Sequence, residues 1–295
     1  MILVRHSERA DDPSIPHSIK VKQDDIIIEY DAQLSRPTGK QQAIDTACTL
    51  KNKLQNPAEF GVDIDNAEIF LFSSPFLMCL ETATAIAKEL KCKSISVQDP
   101  LSDILMKSWY KEDPFLGLTT KLTSNKEKFV EFLKAQYNLN ELTIDYKRAA
   151  NLVNYPETVE ATSKRFRAFY KTIVEKYFPD FIKTNERSRI VIMVTHGVPA
   201  HNPFLHMFEA DKDCVFLDYS AITIVEKVGK ANPYPVGQDQ KDQNNGKNSG
   251  QNQKDQQQQV GDKSCDGSYM NQIGAWEIKI FGDATHLDKD RIAML

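Results

Sequence analysis

Two apolar runs constrain this chain more than any other feature of its sequence. Residues 67–72 (AEIFLF) and 189–194 (RIVIMV) have strand length, are almost wholly apolar and show no alternating polar face, so each reads as a central strand buried on both sides of a sheet. Helical patterns lie between and around them. Residues 39–54 repeat apolar side chains at Ala43, Ile44, Ala47, Cys48, Leu50 and Leu54, residues 75–90 follow a similar rhythm, and 126–137 give a further helix. A longer helix is predicted from Pro156, with proline at a first helical position and Glu157 and Glu160 behind it. Its apolar face is Phe166, Phe169, Tyr170, Ile173, Val174 and Tyr177. Residues 2–4 read as a short opening strand, and 219–228 and 275–281 as two final ones. Strands alternating with helices predict an α/β fold of three layers, α/β/α, around a mostly parallel central sheet. With 295 residues and 41% hydrophobic content the chain can bury one substantial core, and a single domain over 1–295 is expected.

Two stretches depart from this alternation. From Gln238 to Gln259 there is no aliphatic or aromatic residue, only Gln, Asn, Asp, Lys, Gly and Ser. Such a tract cannot bury enough apolar surface to offset its ordering entropy, so residues 229–272 are expected to form a disordered Gln/Asn-rich loop inside what is otherwise a hairpin. It reads either as a neutral expansion or as a partner-binding segment. Residues 99–154 are mixed in pattern and are expected to form a lid over one end of the sheet.

Charge and cysteine usage narrow the function classes. A net charge of −4 argues against a general nucleic-acid or anionic-membrane surface. No apolar run approaches the roughly 20 residues of a membrane span, and no signal-peptide pattern opens the chain. The five cysteines, Cys48, Cys79, Cys92, Cys214 and Cys265, never form a C-x-x-C pair, so reduced thiols and a cytoplasmic location are expected.

Chemistry gathers at the carboxyl ends of three predicted strands, where parallel α/β sheets bind ligands. The first ends in Arg5-His6-Ser7-Glu8-Arg9, the second in Ser73-Ser74-Pro75 and the third in Thr195-His196-Gly197. If these strands are neighbours, two imidazoles and two guanidiniums converge. That set suits a phosphoryl group, because arginine forks hold its oxygens and an imidazole can attack phosphorus. Ser73 and Ser74 read as N-caps of the following helix, and Cys79 as packing. His196, His201 and His206 have a spacing that does not stack side chains on one helical face, and no metal site is expected from them.

Taken in order, these clusters resemble the histidine phosphatase superfamily, also called phosphoglycerate-mutase-like. Its members carry an R-H-G type tripeptide after the first strand, an S-S-P-x-x-R-x-x-Q-T segment and a late T-H-G type turn. Arg5-His6-Ser7, Ser73-Ser74-Pro75 through Thr82, and Thr195-His196-Gly197 are similar to these. The opening R-H-S-E-R-A-D is closest to the branch containing the suppressors of T-cell receptor signalling. The resemblance implies a phosphatase without metal or organic cofactor, acting on a phosphorylated small molecule or phosphoprotein. It implies His6 as the nucleophile that becomes phosphohistidine, Arg5 and Arg9 as phosphate ligands, and His196 as stabiliser of the transferring charge. Asp103 is the candidate acid for the leaving oxygen, where the family has a Glu. Two positions depart from the pattern: Met78 stands where a phosphate-binding arginine belongs, and Glu81 where Gln is usual. Arg36 is the candidate to supply the missing guanidinium. The alternatives are a catalytically inactive relative that binds a phosphorylated ligand or protein, and a scaffold acting through the Gln/Asn-rich loop.

Overall fold

Strand β1 (Ile2–Arg5) and strand β5 (Arg189–Thr195) lie side by side and parallel, with Ile2, Leu3, Val4 and Arg5 opposite Ile192, Met193, Val194 and Thr195. The computed structural model describes residues 1–15, 18–19, 23–24, 26–148, 153–179, 187–197, 217–227, 272–273 and 276–287. Outward from β5, on the side away from β1, come β2 (Glu68–Ser73), β3 (Ser94–Val97) and β4 (Thr143–Tyr146), all parallel. On the other side of β1 come β6 (Ile222–Lys227), β8 (Trp276–Asp283) and β7 (Gln272–Ile273), each antiparallel to its neighbour. The described sheet therefore has eight strands in the order β4-β3-β2-β5-β1-β6-β8-β7.

Alternation along the central strands builds the layers. Ile2, Val4, Ile190, Ile192 and Val194 face one core, while Leu3, Val191 and Met193 face another. The first core is covered by α1 (Thr38–Gln55), α2 (Leu77–Glu89), α3 (Phe115–Leu122) and α4 (Lys126–Tyr137). The second is covered by α5 (Val159–Tyr177) through Phe166, Phe169, Tyr170, Ile173 and Val174. Burial on both faces is why β2 and β5 are apolar throughout.

Within residues 99–154, the stretch expected as a lid, the described residues build α3, α4 and the edge strand β4. Phe115, Leu118, Leu122, Phe129 and Leu133 are buried in the same core as α1 and α2, so this stretch is part of the helical layer. The fifth helix starts at Val159, not Pro156: Thr158 is its N-cap, its hydroxyl accepting from the Ala161 N–H at 3.1 Å. The Gln/Asn-rich loop at 229–272 lies outside the described residues except for Gln272, and so do residues 149–152 of the expected lid. Its flanking strands β6 and β8 pair antiparallel.

One buried ion pair fastens the layer over the first core. The Asp31 carboxylate accepts the Leu77 N–H at the start of α2 and pairs with Lys121 of α3, whose ammonium also donates to the Pro75 carbonyl at 3.3 Å. Both side chains are fully buried, and burial pushes the Asp31 carboxyl up and the Lys121 ammonium down from their ordinary values. Removing one partner of such a pair strands a charge and typically costs about 3–5 kcal/mol. In urea titrations Lys121→Met is expected to lose that much, and adding Asp31→Asn, which removes the charge and keeps an acceptor for Leu77, to recover part of it. A single-variant loss below about 1 kcal/mol would contradict this assignment.

Candidate active site

The β1–β5 register sets the site. Parallel pairing that ends with Arg5 opposite Thr195 continues one residue further, where the His6 N–H donates to the Thr195 carbonyl at 2.9 Å. His6 and His196 thus leave adjacent strands side by side, their rings 5.2 Å apart between centroids and inclined at 68°. Both are almost completely buried.

His6 has a defined tautomer. Its Nδ1 lies 2.8 Å from the Ser7 carbonyl, which can only accept, so Nδ1 carries the proton and Nε2 keeps its lone pair. His196 Nε2 meets the Ser74 hydroxyl at 2.8 Å and Cys79 Sγ at 3.5 Å, and the edge of Phe76 packs on its ring at 5.2 Å. Both imidazoles titrate well below the ordinary value, first because burial disfavours their cations. Around His6 the further causes are His196 and Arg5; around His196 they are Arg9, Arg165 and Arg5. Both are neutral at neutral pH.

The guanidiniums are tied in place. Arg5 donates through Nη1 to the Leu217 carbonyl and lies 4.1 Å over the Tyr219 ring, while its Nε is buried with no hydrogen-bond partner among the described residues. A Cβ at Gly197 would stand 3.3 Å from that Nε, so the glycine leaves the guanidinium its room. Arg9 makes a bidentate pair with Asp11, at 2.5 and 2.8 Å, which raises its pKa despite the opposing effect of burial. A cavity of about 390 Å³ borders this pair, lined by Asp11, Ile19, Ile28, Tyr30 and Asp31 among others.

Asp103 sits on the far side of His196 from Ser74, with its Oδ2 3.8 Å from His196 Nδ1 and its Oδ1 accepting the Ile104 N–H at 2.8 Å. Burial raises its pKa against the opposing Ile104 hydrogen bond and the positive charges of Arg9, Arg5 and Arg165.

The structure thus brings His6, His196, Arg5, Arg9 and Asp103 together, and it does not bring Arg36. That guanidinium is bonded to Glu81 and to the Leu34 carbonyl at 2.8 Å. The physical reason is Glu81 itself: a fully buried carboxylate on α2 requires a cation, and Arg36 is the one that meets it. Met78 points into the first core, 1% exposed, as ordinary helix packing. Phe76, not Ser74, takes the N-cap position of α2, without a side-chain hydrogen bond of its own; the Ser74 hydroxyl lies 2.8 Å from His196 Nε2 and accepts the Phe76 N–H only at 3.5 Å. Ser73 likewise donates to the Ser74 carbonyl at 2.9 Å. His201, His206, Cys214 and Cys265 lie outside the described residues. Among the described residues no group of three or more His, Cys, Asp or Glu side chains could hold a metal ion, and no helix is long and apolar enough to cross a membrane.

Sequence reasoning missed the wall formed by residues 217–221. Tyr219 packs against His6 at 5.5 Å and donates to Asp12, and Ser220 joins its hydroxyl to that of Ser7 at 2.6 Å. Ser220 has φ 61°, a left-handed conformation uncommon outside glycine. No motif marks these residues; they reach the site only because β6 pairs with β1.

No family model and no curated protein matches the chain. Among solved structures it is similar to mycobacterial glucosyl-3-phosphoglycerate phosphatase, at 13% identity over 76% of this chain and 88% of that one, with TM-score 0.45. It is also similar to the ecdysone phosphate phosphatase of Bombix mori in complex with tungstate, at 17% identity over 76% and 88%, TM-score 0.45. A third is a phosphoserine phosphatase mutant of Entamoeba histolytica in complex with phosphoserine, at 17% identity over 77% and 89%, TM-score 0.41. Nothing about the chemistry of this chain follows from likenesses at that level.

Two histidines held neutral by burial make stability sensitive to acid. Below pH 6.5 the unfolded chain binds protons that the folded one refuses, so stability falls as pH falls, by about 1.4 kcal/mol per unit for each histidine. The raised carboxyls of Asp31, Glu81 and Asp103 act in the opposite sense but are common to wild type and variant. His6→Gln is therefore expected to flatten the denaturation profile between pH 6.5 and 5 by up to that slope, and an unchanged profile would show that His6 is not held neutral.

Proposed function

We propose that this chain is a phosphomonoester hydrolase of the histidine phosphatase superfamily, acting through a phosphohistidine on His6. The observation that carries the reading is the pair of buried, neutral imidazoles 5.2 Å apart at adjacent strand ends, flanked by Arg5 and Arg9. The His6 Nε2 lone pair attacks phosphorus as the ester P–O bond breaks, and the leaving oxygen takes its proton from Asp103. Water then attacks the phosphohistidine, giving its proton to Asp103 and releasing phosphate and neutral His6. Arg5 and Arg9 hold the phosphoryl oxygens, and His196 stabilises the charge that builds on them. The substrate is a phosphorylated small molecule or phosphoprotein met in the cytoplasm.

A second reading, an inactive relative that binds such a ligand, draws support from Met78 in the core and Arg36 on Glu81. Loss of one preorganised cation costs about 2.7–4 kcal/mol of transition-state stabilisation. Against the 8–23 kcal/mol that enzymes typically supply, that weakens turnover without abolishing it. Radiolabelled substrate and rapid denaturation decide between the two. An acid-labile, alkali-stable phosphoenzyme that is lost in His6→Ala is the expected result. No label in the wild type, with inorganic phosphate still bound, would establish the binding reading.

The raised carboxyl of Asp103 adds a pH dependence. Hydrolysis of an alkyl phosphate, which needs its leaving oxygen protonated, is expected to be faster at mildly acidic than at alkaline pH, because Asp103 keeps its proton above the ordinary carboxylate range. In kcat/KM, which reports the phosphorylation step alone, Asp103→Asn is expected to remove that dependence and to spare aryl phosphates, whose leaving group departs as an anion; equal losses of kcat/KM on both would remove Asp103 from the acid role.

A further inference from the structure

We infer that Arg165 is a positioning residue of this site, holding the turn at 99–103 so that the Asp103 carboxyl stands beside His196. The inference rests on the phosphohydrolase reading and concerns a residue that none of the motifs contains. Arg165 lies on α5, on the second-core side of the sheet, with its side chain 2% exposed. All five of its N–H donors are used. Nε and one Nη2 hydrogen bind Glu157 at 2.8 and 2.6 Å. Nη1 reaches the Pro100 and Ser102 carbonyls at 2.6 and 3.0 Å, and Nη2 also reaches the Asp103 carbonyl at 3.0 Å. Three carbonyls within four residues thus converge on one planar fork, which a lysine with its single nitrogen cannot reproduce.

Other ties bring the same turn to the sheet. Thr195, the residue before His196, donates its hydroxyl to the Leu101 carbonyl at 2.7 Å, and Arg148 pairs with Asp99 at 2.7 Å. Glu157 is itself anchored, its N–H donating to the Leu105 carbonyl at 2.9 Å. The turn therefore has β5 on one side and the Arg165–Glu157 clamp on the other, with Asp103 between. A buried ion pair is weak evidence for stability, since apolar residues of similar volume often serve a core as well. Here the guanidinium spends three donors on the turn that carries the candidate acid. Facing Asp103 are His196 just after β5, Arg5 at the end of β1 and Arg9 in the segment that follows it, Arg165 from α5, Cys79 from α2 and Tyr110 from the segment before α3.

The test compares an alkyl phosphate, glycerol phosphate, with an aryl one, 4-nitrophenyl phosphate, in wild type, Arg165→Met, Arg165→Lys, Glu157→Gln, Asp103→Asn and the double variant Arg165→Met with Asp103→Asn. A positioning role predicts a loss of roughly 10- to 100-fold in kcat/KM on the alkyl phosphate for Arg165→Met, since a displacement of about 1 Å can cost a hundredfold. On the aryl phosphate kcat/KM is expected to change by less than about threefold, because its leaving group needs no acid in the phosphorylation step. Arg165→Lys is not expected to rescue, Glu157→Gln shows the same pattern more weakly, and the double variant is no slower than Asp103→Asn alone. Equal losses of kcat/KM on both substrates, or losses that multiply in the double variant, would overturn the inference. If the wild type turns over neither substrate, the phosphohydrolase reading fails separately. Arg165 is then judged by the imidazole NMR signals of His196, assigned by their loss in His196→Gln. A shift in Arg165→Met or, should that variant not fold, in Glu157→Gln that matches Asp103→Asn supports it, and unchanged signals refute it.

Discussion

The parallel pairing of β1 with β5 is the constraint on which the rest depends. A strand's carboxyl end is where its backbone runs out of partners, and parallel neighbours run out together. With Arg5 opposite Thr195, the next residues on both strands are histidines, and a slip of one residue would turn either ring to the other face of the sheet. The sheet's direction changes at the same place. β1 has a parallel neighbour on one side and the antiparallel β6 on the other, so the turn into β6 brings Leu217, Tyr219 and Ser220 over the end of β1.

Around that point, cations are tied before any ligand arrives. Arg9 has Asp11, Arg165 has Glu157, Lys121 has Asp31 and Arg36 has Glu81, while Arg5 has a carbonyl and the face of Tyr219. Lys121, Asp31, Arg165, Glu157 and Glu81 are buried, and in a low-dielectric interior each of these charges would otherwise be costly. The histidines are treated in the opposite way. Their positive neighbours push them toward the neutral form, which leaves lone pairs in a site otherwise rich in donors. Glu81 shows how local these demands are: one buried carboxylate takes Arg36, and the neighbouring Met78 packs in the core.

What was legible before folding follows from burial and periodicity. β2 and β5 stood out because strands covered on both faces must be apolar throughout, and α1, α2 and α4 because a helix with one buried face repeats every three to four residues. β3 and β4 did not, because four residues such as Ser-Ile-Ser-Val or Thr-Ile-Asp-Tyr alternate too briefly to be told from a loop. The start of α5 was misplaced because Glu157 resembles a first-turn acid, whereas its carboxylate answers Arg165, a residue reached only through the fold.

By itself, then, the sequence determined the layered α/β order and the strand ends at which His6, His196, Arg5 and Arg9 stand, since these rest on periodicity and on residues adjacent along the chain. Only the tertiary structure decided that Ser74 serves His196, that Arg36 serves Glu81, and that Arg165 and Tyr219 reach the site at all. Hydrogen bonds and ion pairs between residues 45 to 213 positions apart carry no local pattern. They are settled by which strands pair and by the need of every buried charge for a partner.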